Sequence, residues 1–228
     1  MKREIIITAD GSATIHLPDW NEQYHSKHGA IQEAYHVFIK HGLHHFVGQK
    51  MADKDLDITI LEIGFGTGLN AFITLLEALK LNCSVRYTGV EAYPVALEDI
   101  RRLNYTNKLD VPNLKNVFEQ FHEISWDEVH NISETFKLEK QQKFFEDIKD
   151  QSRFDLIYFD AFGARVQPEL WEVAIFKRMF EALKEKGVLV TYAAKGSVRR
   201  AMQEVGFTVE RLPGPPGKRE MLRATKLL

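Results

Sequence analysis

Three glycines stand at alternate positions in the segment Glu62-Ile63-Gly64-Phe65-Gly66-Thr67-Gly68-Leu69-Asn70. Such a run permits a sharp turn and lets a ligand lie against bare backbone. The G-x-G-x-G spacing, with no Lys-Ser/Thr after it, differs from both the dinucleotide fingerprint and the phosphate-binding P-loop. Glu91 follows 27 residues after Gly64, where a carboxylate at a strand end can accept both hydroxyl hydrogens of a ribose. The glycines alone are compatible with an ordinary strand–helix turn. With Glu91 they describe a site for an adenosine ligand without phosphates, and S-adenosylmethionine is the cofactor that fits. The expected contacts are Glu62, Gly64, Phe65, Gly66, Gly68, Asn70 and Glu91.

A second chemical segment opens at Asp160, in Asp160-Ala161-Phe162-Gly163-Ala164-Arg165. A carboxylate at the carboxyl end of a strand faces the crevice and can orient an amine or accept its proton. Phe162 can wall the pocket or stack on a base. The plainer alternative is that Asp160 caps a loop and Phe162 packs in the core. The nine histidines include His36, His41, His44 and His45, but their spacing matches no zinc helix and no Cys pair accompanies them, so solvated surface and no metal are expected. Cys83 reads as a small buried residue.

Positioning these groups requires strands that end at them. Residues 57–63, 85–91, 154–160 and 187–192 are strand-like, with helical periodicity over 69–81 and 171–183 between them. Pro94 suits the first turn of another helix carrying Leu97, Ile100 and Leu103. Repeated strand–helix units imply an α/β, doubly wound, mostly parallel sheet of Rossmann-like type. Residues 207–212 and 220–225 lack a helix between them and should pair antiparallel. Between 105 and 150, Trp126 and the Phe136/Leu138 alternation suggest one more strand. Ahead of this pattern, residues 5–7 and 14–17 flank Asp10-Gly11 as a β-hairpin, and apolar positions recur at helical spacing from 29 to 46. The expected division is an N-terminal hairpin and helix extension over 1–50 and a Rossmann-like domain over 51–228.

The 228 residues contain 44% hydrophobic and 11% aromatic residues, which excludes a disordered chain. No apolar run is long enough to span a membrane, and the one at residues 5–8 is too short for a signal peptide. With Cys83 alone, no internal disulfide can form, and a reducing cytoplasm is expected. The net charge of −2 is uneven: residues 191–228 carry eight basic and three acidic residues, leaving −7 on the rest. A basic end on an acidic body can steer a polyanion to one face. A surface that is merely basic is the alternative, with Arg200 pairing Glu204 at helical spacing.

Four segments together resemble the methyltransferase half of the bifunctional tRNA wobble-uridine enzyme MnmC and its stand-alone counterpart MnmD. They are Tyr24-x-Ser26-x-x-Gly29-x-x-x-Glu33 with Val37-Phe38, the glycine run through Asn70, Asp160-x-Phe162 through Pro168 to Trp171, and Val198-Arg199-Arg200 continuing into Gly206-Phe207 and Gly217-Lys218-Arg219-Glu220-Met221-Leu222. They span residues 24–222, and the last two are the more specific.

The resemblance implies a class I fold and transfer of a methyl group from S-adenosylmethionine to the exocyclic amine of 5-aminomethyl-2-thiouridine at the tRNA wobble position. The product is 5-methylaminomethyl-2-thiouridine. The flavin oxidase half of the bifunctional enzyme has no room here, so only methylation is expected. The resemblance adds Tyr24, Ser26 and Glu33 as residues closing the cofactor pocket. It aligns Gln142 where methyltransferases commonly place an Asp for the adenine amine. Asp160 is then the catalytic group and a cofactor neighbour. Phe162, Lys195, Arg199, Arg200, Lys218 and Arg219 would face tRNA. Ala164 and Val166 depart from a Pro and a Lys often found there. Rival readings are methylation of a small amine or a protein, and a non-catalytic RNA-binding protein.

Overall fold

The computed structural model describes residues 2–50 and 56–227. Five strands form the parallel centre of an eight-stranded sheet: β4 (Asp57–Ile63), β5 (Ser84–Val90), β7 (Phe136–Gln141), β8 (Phe154–Phe159) and β9 (Leu183–Thr191). They follow β1 (Glu4–Ile7), β2 (Ala13–Leu17) and β3 (Glu22–Gln23), which make a separate three-stranded antiparallel sheet. β6 (Val129–Asn131) runs antiparallel on one edge of the large sheet. On the other edge β11 (Glu220–Thr225) pairs antiparallel with β9 and with β10 (Thr208–Pro213). The order β10-β11-β9-β8-β4-β5-β7-β6 puts the point where the winding reverses between β4 and β8. Ligands bind beyond the strands' carboxyl ends at such a point.

The central strands are buried on both faces, as their unbroken apolar runs require. On one face, Phe72, Tyr87 and Tyr158 share a core with α1 (Ala30–Ala34), the helical run beyond it, and α3 (Leu69–Leu81). On the other, Ile63, Phe159, Trp171, Phe176 and Met179 pack under α7 (Val173–Ala182) and α8 (Gly196–Glu204). α1 continues into a π-helical stretch (Tyr35–His44) and a closing turn, α2 (His45–Gln49). Apolar spacing alone does not separate this i→i+5 winding from an ordinary helix. Ile15, Leu17, Val37 and Phe38 belong to the same core as β4 and β8, so this N-terminal part packs onto the fold as a layer. The expected boundary between residues 50 and 51 adjoins residues 51–55, which lie outside the described residues.

Three local expectations change. Pro94 lies before, not within, the single helical turn α4 (Leu97–Ile100), and α5 (Tyr105–Lys108) and α6 (Lys115–Glu123) follow. Trp126 is outside any strand and lies against the Lys140 ammonium, 4.6 Å from its ring centroid. Of the early histidines His44 is exposed, as expected, whereas His36, His41 and His45 are half-buried; His36 Nε2 lies 2.8 Å from the Pro213 carbonyl, and His44 Nε2 lies 3.1 Å from Glu77 Oε2. Among the described residues, no helix is long and apolar enough to cross a membrane.

Candidate active site

A crevice of about 1230 Å³ opens at the carboxyl ends of β4, β5 and β8 and is covered by residues following β2. Gly64 begins its turn at φ 89°. A Cβ there would lie 2.7 Å from the Asp160 carbonyl oxygen, so the two chemical segments touch through backbone. Glu91, just past β5, accepts the Gly66 amide at 3.0 Å and the Tyr93 amide at 2.9 Å. Its pKa is raised by burial, against the pull of those two amides.

Asn70, in the first turn of α3, joins two carboxyls. Its amide nitrogen donates to Glu62 Oε1 and to Asp160 Oδ2, both at 2.8 Å. That leaves Asn70 Oδ1 buried without a hydrogen-bond partner, while Glu62 has the buried Tyr87 hydroxyl beside it as a donor. Burial holds the Glu62 pKa well above the usual carboxylate range. It pushes Asp160 up to about 7, helped by the Glu33 carboxylate and opposed by the Asn70 amide and the Lys218 ammonium. Burial destabilises the charged form of each acid, so these adjoining carboxyls favour the approach of a cation.

Tyr24, Ser26, Glu33, Phe65 and Phe162 also line the crevice, as expected from the sequence. Tyr24 meets Phe162 edge-on at 5.0 Å, and Trp20 meets Phe162 at 5.7 Å. Burial pushes the Tyr24 hydroxyl up to about 12. Ser26 donates its amide to Glu33 Oε2 at 2.9 Å. Arg165 ties the loop after β8 to the cover, donating to the Trp20 and Asn21 carbonyls at 3.1 and 3.0 Å and pairing with Glu22. His25 stands near Thr14 Oγ1 (3.0 Å) and Thr67 Oγ1 (3.4 Å), with its pKa brought down to about 4 by burial. It is therefore neutral and steadies the glycine turn.

Two expected contacts are not in the crevice. Gly68 caps α3 in the left-handed conformation, under the His122 ring. Gln142 is exposed beyond β7, and Phe144, Phe145 and Glu146 line the wall in its place. A 3-10 turn at Phe145–Asp147, anchored by buried Phe145, brings that later stretch to the wall. The exposed pair Tyr93 and Phe144 meets edge-on at 6.0 Å at the same end.

The basic tail divides. Lys218 lines the crevice rather than an outer surface, paired with Glu33. Lys226 is buried, donating to the Phe180 and Leu183 carbonyls at 2.9 and 2.8 Å. Arg223 pairs with Glu210 and Arg211 with Glu220. Lys195, Arg199, Arg200 and Arg219 form no ion pair among the described residues, and Arg200 lies near Gly196 at the start of α8 instead of meeting Glu204. Lys195 lines a shallower pocket beside the crevice with Arg165, Tyr192 and Lys218. Tyr192, Trp20, Tyr93 and Glu146 carry no motif signal. Only their place at strand ends or in neighbouring loops could have marked them.

Residues 111–227 match the model of a family described as S-adenosyl-L-methionine-dependent methyltransferase. A Burkholderia mallei (strain SAVP1) protein named tRNA 5-methylaminomethyl-2-thiouridine biosynthesis bifunctional protein MnmC is 30% identical over 235 aligned residues, covering 96% of this chain and 34% of that protein. The chain thus spans about a third of the length of the curated relatives it matches. The crystal structure of MNMC2 from Aquifex aeolicus superposes with a TM-score of 0.75 at 25% identity, covering 98% of this chain and 70% of that one. Spermidine synthase from Thermotoga maritima, at 15% identity and a TM-score of 0.54 over 94% of this chain and 69% of that one, shares the fold.

Proposed function

This chain belongs to the S-adenosyl-L-methionine-dependent methyltransferase family, and we propose that it methylates the exocyclic amine of 5-aminomethyl-2-thiouridine at the tRNA wobble position, in the cytoplasm. The named activity of the relatives that align with 96% of the chain supports the substrate. The observation that carries the chemistry is the set of buried carboxyls around Asn70.

S-adenosylmethionine supplies an electrophilic methyl group on a sulfonium, and it also carries an ammonium group. Asn70 Oδ1 is buried without a donor, which the ammonium can provide. A nearby cation also returns Glu62 to its charged form. Each Glu91 oxygen accepts one backbone amide and has a further lone pair with which to accept a ribose hydroxyl. The residues present therefore fit the cofactor.

For the acceptor, Asp160 is the residue that holds the amine. An ammonium has no lone pair, so the acceptor must lose a proton before or during attack. A carboxyl titrating near neutrality, as Asp160 does, can accept that hydrogen at working pH. Phe162, with Trp20 and Tyr24 edge-on to it, offers a face against which a base can lie. In-line displacement at an activated sulfonium needs chiefly orientation and exclusion of water, which this half-enclosed crevice provides.

The test is direct. Purified protein, methyl-labelled S-adenosylmethionine and tRNA bearing 5-aminomethyl-2-thiouridine should yield labelled 5-methylaminomethyl-2-thiouridine by nucleoside mass spectrometry. Label appearing on small amines or protein but not on tRNA would overturn the substrate. Absence of S-adenosylmethionine binding in calorimetry would overturn the enzymatic reading altogether.

A further inference from the structure

Lys218 sits where the turn before β11 meets the segment leading into α1. It belongs to the turn between β10 and β11, held by Lys218 N to the Pro215 carbonyl at 2.9 Å and Gly214 N to the Arg219 carbonyl at 3.1 Å. At the preceding Gly217, φ is +81°, and an added Cβ would overlap the His28 ring. The tail turn therefore rests on the N-terminal loop that carries Ser26 and leads to Glu33. The Lys218 ammonium pairs with Glu33 Oε1 and lies 3.7 Å from the ring centroid of Tyr192. The other Glu33 oxygen is occupied by the Ser26 amide. The Tyr192 hydroxyl donates at 2.8 Å to the carbonyl of Ala161, the residue after Asp160.

We propose that Lys218 is a positioning residue: its ion pair with Glu33, clasped on the Tyr192 ring whose hydroxyl holds the Ala161 carbonyl, fixes the charge in the crevice wall that Asp160 also lines. This rests on the methyl-transfer reading for its consequence in catalysis, but its electrostatic core does not need a substrate.

The groups acting around Asp160 come from every side. Glu33 acts from α1 and raises its pKa, while Lys218 from the tail turn and Asn70 from α3 lower it. Glu62 from β4 shares Asn70 with it. The Tyr192 hydroxyl, after β9, is itself raised by burial first and then by Asp160, Glu33 and Glu22. Glu91 lies at the end of β5, with Arg3 nearby, and His28 packs on the Lys218 turn. Glu33 and Lys218 thus push Asp160 in opposite directions and are tied to each other. Neutralising either one uncovers the other, whereas a residue that merely packs would have no such signed effect.

The experiment follows the carboxylate carbon of Asp160 by NMR through a pH titration of the ligand-free protein, with the signal assigned by its loss in Asp160→Asn. Relative to the native protein, Lys218→Met should move the midpoint up by about one pH unit. Glu33→Gln should move it down comparably, and the double variant should return close to the native midpoint. Lys218→Arg should keep it, and Lys218→Gln serves in place of Lys218→Met if that variant does not fold. With tRNA, the rising limb of kcat/KM should move in the same directions, while the salt dependence of tRNA binding stays as in the native protein. An unmoved midpoint, or shifts of the same sign in both single variants, would overturn the proposal. So would a Lys218 variant that alters only the tRNA KM and its salt dependence, which would make Lys218 a phosphate ligand. Because the titration contains neither cofactor nor tRNA, failure of the wobble-uridine reading and failure of this proposal give separate results.

Discussion

At the scale of single residues, Asp160 combines two roles that pull in opposite directions. Burial that readies it to accept a proton also makes its charged form costly to fold. Its pKa lies near 7 against an ordinary 3.8, so between those values the folded chain holds a proton that the unfolded chain has released. Its contribution to stability therefore falls as pH rises through that window. Asp160→Asn should consequently raise the melting temperature at pH 8, with a gain on the order of a few kcal/mol at most that vanishes towards pH 4. The same change should cut the methyl-transfer rate by at least about a hundredfold, typical of a positioned acid–base group, with a smaller change in cofactor affinity. Melting curves over pH and single-turnover rates check both. A rate within a few-fold of native would make Asp160 structural, and a loss of stability at pH 8 would contradict its burial as a charged group.

At the scale of elements, the β4–α3 turn and the end of β8 act as one unit, because Gly64 lies against the Asp160 carbonyl. Gly64→Ala should cost about 1–3 kcal/mol in backbone strain at positive φ. Since the obstructing atoms are main chain, it should displace Asp160 and lower both cofactor affinity and turnover. An added Cβ at Gly66 instead meets the Tyr24 ring, 3.1 Å from Cδ1, and a side chain can yield. Calorimetry and melting of Gly64→Ala would expose an error if both stayed native. Much of this unit is legible in the sequence. Buried parallel strands are long apolar runs, and glycines at a strand end announce a turn, so β4, α3, β5 and β8 can be placed with Gly64, Glu91 and Asp160. Gln142 cannot, because a polar stretch after β7 gives no apolar period to fix which residue turns inward. Lys218 escapes the sequence for a related reason: charge pattern identifies a cation but not the carboxylate that will hold it, and Glu33 lies 185 residues away.

Over the whole molecule, the tail that reads as +5 in the sequence is largely committed to the fold. Lys226 satisfies two buried carbonyls, Arg211 and Arg223 neutralise strand neighbours, and Lys218 serves the crevice. The tail cations left for a polyanion are Lys195, Arg199, Arg200 and Arg219, at and along α8 and in the β10–β11 turn, next to the shallower pocket that Lys195 and Arg165 line beside the crevice. A tRNA entering the crevice by its wobble base would bring neighbouring phosphates over this face. Arg199→Ala with Arg200→Ala should therefore raise the tRNA KM, leave S-adenosylmethionine affinity native, and make the log–log salt dependence of binding shallower by about 0.7–0.9 for each phosphate no longer neutralised. The alternative of a helical strut is already weakened, because Arg200 does not meet Glu204. Lys226→Met is the useful counterpart. It should lower the melting temperature, since burying two carbonyls without their donor costs about 1–3 kcal/mol each, and it should leave the salt slope unchanged. If instead the Arg199/Arg200 variant keeps the native slope while Lys226→Met flattens it, the tRNA path does not cross α8 and the assignment of this face fails.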